Sequence, residues 1–209
     1  MKKTALIIAI FVMLLGVYAP ADAAPSLNGP TGIINIPSAD VLREGQFSLG
    51  AYRIKDGQIG SVTINAAPNL EIGWSGRYYK SSTGLSNKNR FNAKFAITSE
   101  TILTPGVAVG IEDIGNAEKR SYYISASKGL IWGLRFHAGF GNGHYDGVFA
   151  AIEKSVIPVN IGGIGGTNLI VEWDSKHLNY GIRKAVAPGV KVDAGVRKKH
   201  GYLGVTLVN

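Results

Sequence analysis

Short segments in which every second side chain is apolar follow one another from Gln46 to the end of this 209-residue chain, separated by Gly, Pro, Asn and Asp turns. Residues 69–79 show the pattern: Leu70, Ile72, Trp74 and Tyr78 fall on one side, Glu71, Ser75 and Arg77 on the other. Successive side chains of a strand point to opposite faces, so each such segment has one apolar and one charged face. Strands are predicted at 46–54, 58–65, 69–79, 90–98, 106–113, 120–128, 132–141, 147–153, 168–174, 177–184, 190–197 and 202–208. That makes twelve, with ten as the alternative count, and most approach the roughly 9–11 residues of a tilted membrane-spanning strand. The fold class is all-β: a single antiparallel meander closed into a barrel.

The two faces stay consistent from strand to strand. One collects Phe91, Phe95 and Ile97; Val107, Val109 and Ile111; Trp132, Leu134, Phe136 and Phe140; and Val190, Val192 and Val196. The other collects Glu71, Arg77, Arg90, Lys94, Glu112, Arg135, Glu153, Glu172, Arg183, Lys191, Asp193 and Arg197, interleaved with Gly73, Gly110, Gly139, Gly141, Gly181 and Gly195. Together with Asp174 these charged residues are the candidate lumen-facing network. Small residues beside charges of both signs suit the inside of a narrow closed sheet. In a secreted soluble barrel the faces invert, and the Phe, Trp and Val face lines a cavity for a small apolar ligand, as in lipocalins. Alternation alone does not decide between these arrangements.

The start of the chain bears on the choice. Met1-Lys2-Lys3, an apolar run from Ala5 to Ala19 and Ala21-Asp22-Ala23 read as the basic region, apolar region and cleavage site of an export signal, residues 1–23. The run of about 15 residues is shorter than the roughly 20 a spanning helix needs. No later stretch resembles a membrane helix, so insertion would be through strands. There is no cysteine, which excludes a disulfide framework and a lipid-modified cysteine. Signal, missing disulfides and a bulky aliphatic face favour lipid outside and charges inside. The net charge of +8 is scattered, with Arg197-Lys198-Lys199 the one run. This pattern, in an exported chain, fits anionic polysaccharide or lipid headgroups better than nucleic acid.

Residues 24–45 stand apart from the strand pattern, ahead of the barrel at 46–209. Asn28-Gly29-Pro30-Thr31-Gly32 is turn-rich, Ile33-Ile34-Asn35-Ile36 is compatible with a short strand, and Ser38 and Gly45 bracket an expected helical turn over 39–44. Two longer loops are expected, a polar one at 80–89 and one at 154–167 that contains the Gly-rich run 161–166. Tyr78, Tyr79, Trp132, Trp173, Tyr180 and Tyr202 lie near strand ends, where aromatic girdles form in membrane barrels.

Signals of catalysis are weak. No Gly-x-Ser-x-Gly elbow occurs, and His137, His144, His177 and His200 stand at no metal-ligand spacing to one another. His144, His177 and His200 fall at hairpin ends, where solvation is expected. Gly139-Phe140-Gly141-Asn142-Gly143 leads into another strand rather than a helix, so it reads as a hairpin turn and not as a phosphate loop. No catalytic, cofactor-binding or metal-binding residue is assigned, no cofactor is expected, and the chain reads as non-enzymatic.

Two blocks resemble the YjbH-like family. The first is Gly29-Pro30-Thr31-Gly32-Ile33-Ile34-Asn35-Ile36-Pro37-Ser38-Ala39-Asp40 followed by Glu44-Gly45-Gln46. The second is Phe149-Ala150-Ala151-Ile152-Glu153-Lys154, then Val171-Glu172-Trp173-Asp174, then Asn179-Tyr180-Gly181-Ile182-Arg183. The resemblance implies an outer-membrane β-barrel linked to exopolysaccharide production, with outer-membrane lipids as surroundings and exopolysaccharide or its export machinery as partners. Larger relatives are several times longer. The shared polar positions read as structural: Glu153, Glu172, Asp174 and Arg183 on neighbouring strands would form a buried ion-pair ladder. A plugged or very narrow lumen is expected.

Overall fold

The computed structural model describes residues 23–81, 84–157 and 166–209. The expected export signal, apart from Ala23, and the Gly-rich run, apart from Gly166, lie outside the described residues. The strands are β1 (Phe47–Ile54), β2 (Gly57–Ala67), β3 (Leu70–Ser81), β4 (Gly84–Thr98), β5 (Gly106–Glu112), β6 (Ser121–Gly129), β7 (Leu134–Gly141), β8 (Gly147–Ile157), β9 (Thr167–Trp173), β10 (Leu178–Ala187), β11 (Val190–Arg197) and β12 (His200–Val208). Each pairs antiparallel with its chain neighbours, and β1 pairs with β12 from Ser48↔Val208 to Arg53↔Leu203, closing the twelve-stranded barrel. Closure leaves no strand edge, which a sheet surrounded by lipid requires because hydrocarbon offers no hydrogen bonds.

The start of β1 and the last residue share one end of the barrel, here the terminal end; the β1–β2, β7–β8, β9–β10 and β11–β12 turns share the far end. Four register shifts, at Asn65/Ala67, Ala96/Thr98, Ser155/Ile157 and Ala185/Ala187, all sit at the terminal rim. Such bulges sharpen the local twist of a rim strand. Within the expected polar loop at 80–89, residues 80–81 and 84–89 are instead strand: β3 and β4 pair out to Ser81↔Gly84.

The apolar residues face outward. Leu49, Ile72, Phe95, Ile124, Phe140 and Leu203 are exposed, on six different strands, while Glu71 and Arg77 of β3 and Arg90 and Lys94 of β4 are buried. That order is stable where the surrounding medium is hydrocarbon. It overturns the lipocalin-like alternative, which needs the Phe and Val face inside. Tyr78, Trp173 and Tyr180 are exposed on the half of the wall nearer the far end, and Trp132 is 71% exposed at the terminal end. Tyr202 departs from the expected girdle: it is buried in the lumen.

Inside, the glycines do not simply make room for charges. Inward aromatic rings lie across them from the neighbouring strand: Tyr123 over Gly110, Phe149 over Gly139, Tyr52 over Gly204, and Tyr202 over Gly195, with its hydroxyl reaching on to Gly181 one strand further. A Cβ at Gly204 or Gly110 would occupy the ring's own position. The inward face is therefore mixed, with aromatic patches between the charges.

Those patches have a partner. Residues 24–39 are buried along their whole length, because the segment is folded into the barrel as a plug. Leu27, Ile33, Ile34 and Ile36 pack with Tyr52, Ile59, Tyr123, Tyr145, Phe149, Ile170 and Tyr202 of the wall into one apolar core within the lumen. The expected strand at Ile33–Ile36 does not form; these residues are a bend that Ile33 N–H closes on Ile36 O at 2.9 Å. The expected helical turn over 39–44 is also absent. A single β-turn, Gln46 N–H to Arg43 O at 3.0 Å, joins plug to β1. Both expectations fail because wall side chains take the N–H groups of Ile34, Asn35, Ile36, Ala39 and Leu42, while bonds within the segment such as Leu27 N–H to Ile34 O take others, so no regular ladder is needed.

Candidate functional site

The plug is held chiefly through its backbone. Two isolated bridges, Pro25 with Thr31 and Gly32 with Pro37, pair some of its backbone groups; the remaining carbonyls and N–H groups would be costly to leave unpaired in a water-poor lumen. Wall carboxylates accept the N–H groups and wall cations donate to the carbonyls.

Glu172 of β9 illustrates the first kind. It accepts the consecutive N–H groups of Ile34 (2.7 Å), Asn35 (2.9 Å) and Ile36 (3.2 Å), and Nδ2 of Asn179 (2.9 Å). Glu71 of β3 accepts Leu42 N–H (2.6 Å), Thr31 N–H (3.3 Å) and the Thr31 hydroxyl (2.8 Å), and pairs with Lys94 of β4 at 3.1 Å. Lys94 illustrates the second kind: it donates to Thr31 O (2.9 Å), Ser38 O (3.4 Å) and Asp40 O. Arg183 of β10 donates to Gly32 O (3.3 Å) and Ile33 O (2.9 Å) while its Nε holds Asp193 at 2.6 Å. The bend that presents these groups depends on Gly32, where a Cβ would overlap Ile36 O and touch Pro37 Cα at 3.0 Å.

Side chains finish the seal. Near the terminal end, Arg135 bridges Asp40 of the plug (2.5 Å) and Glu100 (2.7 Å). Ser127 Oγ accepts Ala39 N–H and bonds His137 Nδ1, each at 2.8 Å. Among the described residues this is the one Ser–His side-chain bond in the lumen, and the serine is buried and engaged with plug backbone. Toward the far end, Arg77 holds the Asn28 side chain and Arg197 holds that of Asn35, whose Nδ2 reaches Asp174 at 2.9 Å. Arg90 and Glu112 pair at 2.8 Å with neither side chain exposed, and the Tyr145 hydroxyl donates to Glu112.

Of the thirteen residues expected to face the lumen, Glu71, Arg77, Arg90, Lys94, Glu112, Glu153, Glu172, Asp174, Arg183, Lys191 and Asp193 are buried, and Arg135 and Arg197 are half-buried. Their grouping differs from the expected ladder. Glu153 lies 4.0 Å from Arg183, but Glu172 makes no ion pair among the described residues and serves the plug instead. Asp174 stands past the end of β9 and caps the far-end turn, accepting N–H from His177 (2.8 Å) and Lys176 (3.2 Å). Burial works to raise its carboxyl, but these bonds and that from Asn179 outweigh it and hold the group below its ordinary range.

His144 and His177 are not freely solvated as expected; both line a recess at the far end with Asn28, Asn35, Arg77, Arg197 and Lys198. Burial, then the cations Arg90, Arg77 and Lys198, push His144 down to about 3. His200 is exposed. The residues missed by reading strands alone are those of the plug, Thr31, Asn28, Asn35 and Asp40. The signal for them was present in the Asn28–Asp40 block, a motif too irregular to be a strand and too apolar to be a linker.

Residues 26–165 match the YjbH family, described as exopolysaccharide biosynthesis protein YbjH. The matched stretch contains the plug and ends before Glu172 and Arg183. Among solved structures, the barrel is similar to a KdgM porin, with a TM-score of 0.53 and 10% identity over 78% of this chain and 97% of that one. A second, titled KdgM porin in complex with disordered oligogalacturonate, has a TM-score of 0.47 and 11% identity over the same shares. The first likeness shows a shared barrel fold. No curated protein matches the chain.

Proposed function

Because this chain belongs to the YjbH family of exopolysaccharide biosynthesis proteins, we propose that it is a non-enzymatic outer-membrane barrel that contributes to exopolysaccharide export or to surface organisation. Residues 1–23 act as the export signal in this reading, and the protein works in the outer membrane with exopolysaccharide or its export machinery as partner. The observation that carries it is the plug: the Asn28–Asp40 block fills the lumen of a barrel whose outer face is apolar. With that lumen sealed, the barrel is not a permanently open pore. A role in polymer passage therefore requires the plug to leave, and its attachment at the 43–46 turn directs that exit through the terminal end.

Deletion of the gene from its host tests the proposal. The expected result is reduced extracellular polysaccharide or an altered cell surface, restored by the intact chain. Unchanged polysaccharide together with unchanged envelope permeability would overturn it.

A further inference from the structure

The recess at the far end carries an excess of cations. Its volume is about 60 Å³, and it opens between the β7–β8, β9–β10 and β11–β12 turns. Four cations line it, Arg77, Lys176, Arg197 and Lys198, against the single carboxylate of Asp174. That carboxylate is already engaged by Asn35, Asn179 and two backbone N–H groups. Lys176 has Asp146 at 3.1 Å, and Arg77 has Glu118 at 3.7 Å besides donating to Asn28 Oδ1 and, at 3.2 Å, to the Tyr79 hydroxyl. Arg197 and Lys198 have no carboxylate within ion-pair distance among the described residues; Arg197 spends only Nε, on Asn35. Buried nitrogens facing this region also lack partners, namely Arg77 Nε and His144 Nε2.

The turn that carries Lys198 adds a second, independent observation. Lys198 and Lys199 connect β11 to β12 with φ of 49° and 67°, both in the left-handed region. Two-residue hairpins with this geometry favour Asn-Gly, because a Cβ is disfavoured there. A Lys-Lys pair in that position is costly to the fold, and it places an ammonium group at the mouth of the recess. The positive field is strong enough to register on its members: burial first, then Arg197 and Arg77, hold Lys198 below the ordinary lysine range.

We propose that this recess binds a carboxylate carried by an acidic saccharide, held between the guanidinium groups of Arg77 and Arg197 and the ammonium of Lys198. Two planar guanidinium groups suit a planar carboxylate, and charge-assisted bonds of this kind are the strong ones. A water occupies about 10–15 Å³ of such space, so the recess takes one carboxylate and a water, with the sugar ring outside at the barrel mouth. It lies within the ring of strands, out of reach of lipid headgroups on the outer face. The assignment to a saccharide rests on the function proposed above; the anion site itself does not.

The test is calorimetric titration of the mature chain in detergent micelles with a glucuronic acid trisaccharide, the same sugar with its carboxyls reduced, and inorganic phosphate. Binding of the acidic sugar is expected, at least about tenfold tighter than either control and weakening with salt. Lys198→Gln is expected to weaken it about tenfold with thermal stability unchanged, since the Lys198 ammonium holds nothing in the plug. The double variant K198N/K199G supplies the favoured turn residues and is expected to be more stable than the parent while binding equally poorly. Equal binding of the neutral sugar, or full affinity in both variants, overturns the site. Phosphate binding as tightly as the acidic sugar overturns the saccharide assignment. Binding as expected alongside an unaltered deletion strain would sink the proposed function and leave the site standing; a deletion phenotype without binding would do the reverse.

Discussion

At the scale of single residues, the lumen works by pairing side-chain charge with plug backbone. Glu172 is the clearest case, one carboxylate on three consecutive N–H groups. Removing the side chain leaves those donors buried and unpaired, at about 1–3 kcal/mol each when no water replaces it. Glu172→Ala is therefore expected to lower stability by several kcal/mol and to make residues 24–42 susceptible to added protease. Glu172→Gln keeps an acceptor oxygen and is expected to cost only about 1–2 kcal/mol. Thermal melts and limited proteolysis of both variants in micelles check this, and equal behaviour of the two would show that the bonds do not hold the plug. The same scale explains which residues could be read in advance. Glu71, Glu172 and Arg183 were recognisable from strand period alone as members of one charged face. Their partners were not, because a carboxylate that binds backbone N–H leaves no matching side chain in the sequence.

At the scale of elements, strands and plug differ in how they are encoded. Each strand carries its own period-two pattern, and the observed bounds follow it closely: Val190–Arg197 coincides with the predicted segment, and Phe47–Ile54 differs by one residue. The largest departure, β3 and β4 extending into a stretch expected as loop, occurs where Leu85 is the one apolar residue among polar ones. The plug has no period. Its bend at Ile33–Ile36 is specified by Gly32, by the isoleucines that meet the wall aromatics, and by wall residues far away in the chain. Removal of residues 24–42 takes away only inward contacts, while the ladders that close the barrel remain. The shortened protein is expected to insert and to conduct ions in planar bilayers, whereas the intact chain stays closed. An intact chain that conducts as much as the shortened one would show that the plug does not seal.

At the scale of the molecule, charge is unevenly balanced along the barrel axis. Ion pairs such as Lys94–Glu71 and Arg135–Glu100 neutralise the terminal half, while the far end keeps cations to spare. This has a consequence for stability against pH. His144 sits in that field and titrates at about 3 when folded, against an ordinary 6.5. The unfolded chain therefore takes up a proton that the folded chain refuses, and stability falls as pH drops from 6.5 toward 3 and is fully present above 6.5. The Asp174 contribution persists to lower pH, because its folded value lies under the ordinary 3.8 and it is lost only as pH falls below that. His144→Asn is expected to flatten the decline between pH 6.5 and 3 without changing the melt at pH 8. Parallel profiles for the two proteins would show that His144 is not shielded from protonation.

The sequence by itself determined the twelve strands, their antiparallel order and the division of each into an apolar and a charged face, because alternation is a local property written into every segment. Its Asn28–Asp40 block also marked a segment unlike the strands. Only the tertiary structure decided that the apolar face looks outward, that inward glycines lie beneath aromatic rings, and that this segment turns back into the lumen. Each of these depends on contacts between distant parts of the chain, such as Ile34 with Glu172, 138 residues apart, made between backbone and side chain. Such a pairing has no periodic trace, so it becomes visible only when the barrel has closed around it.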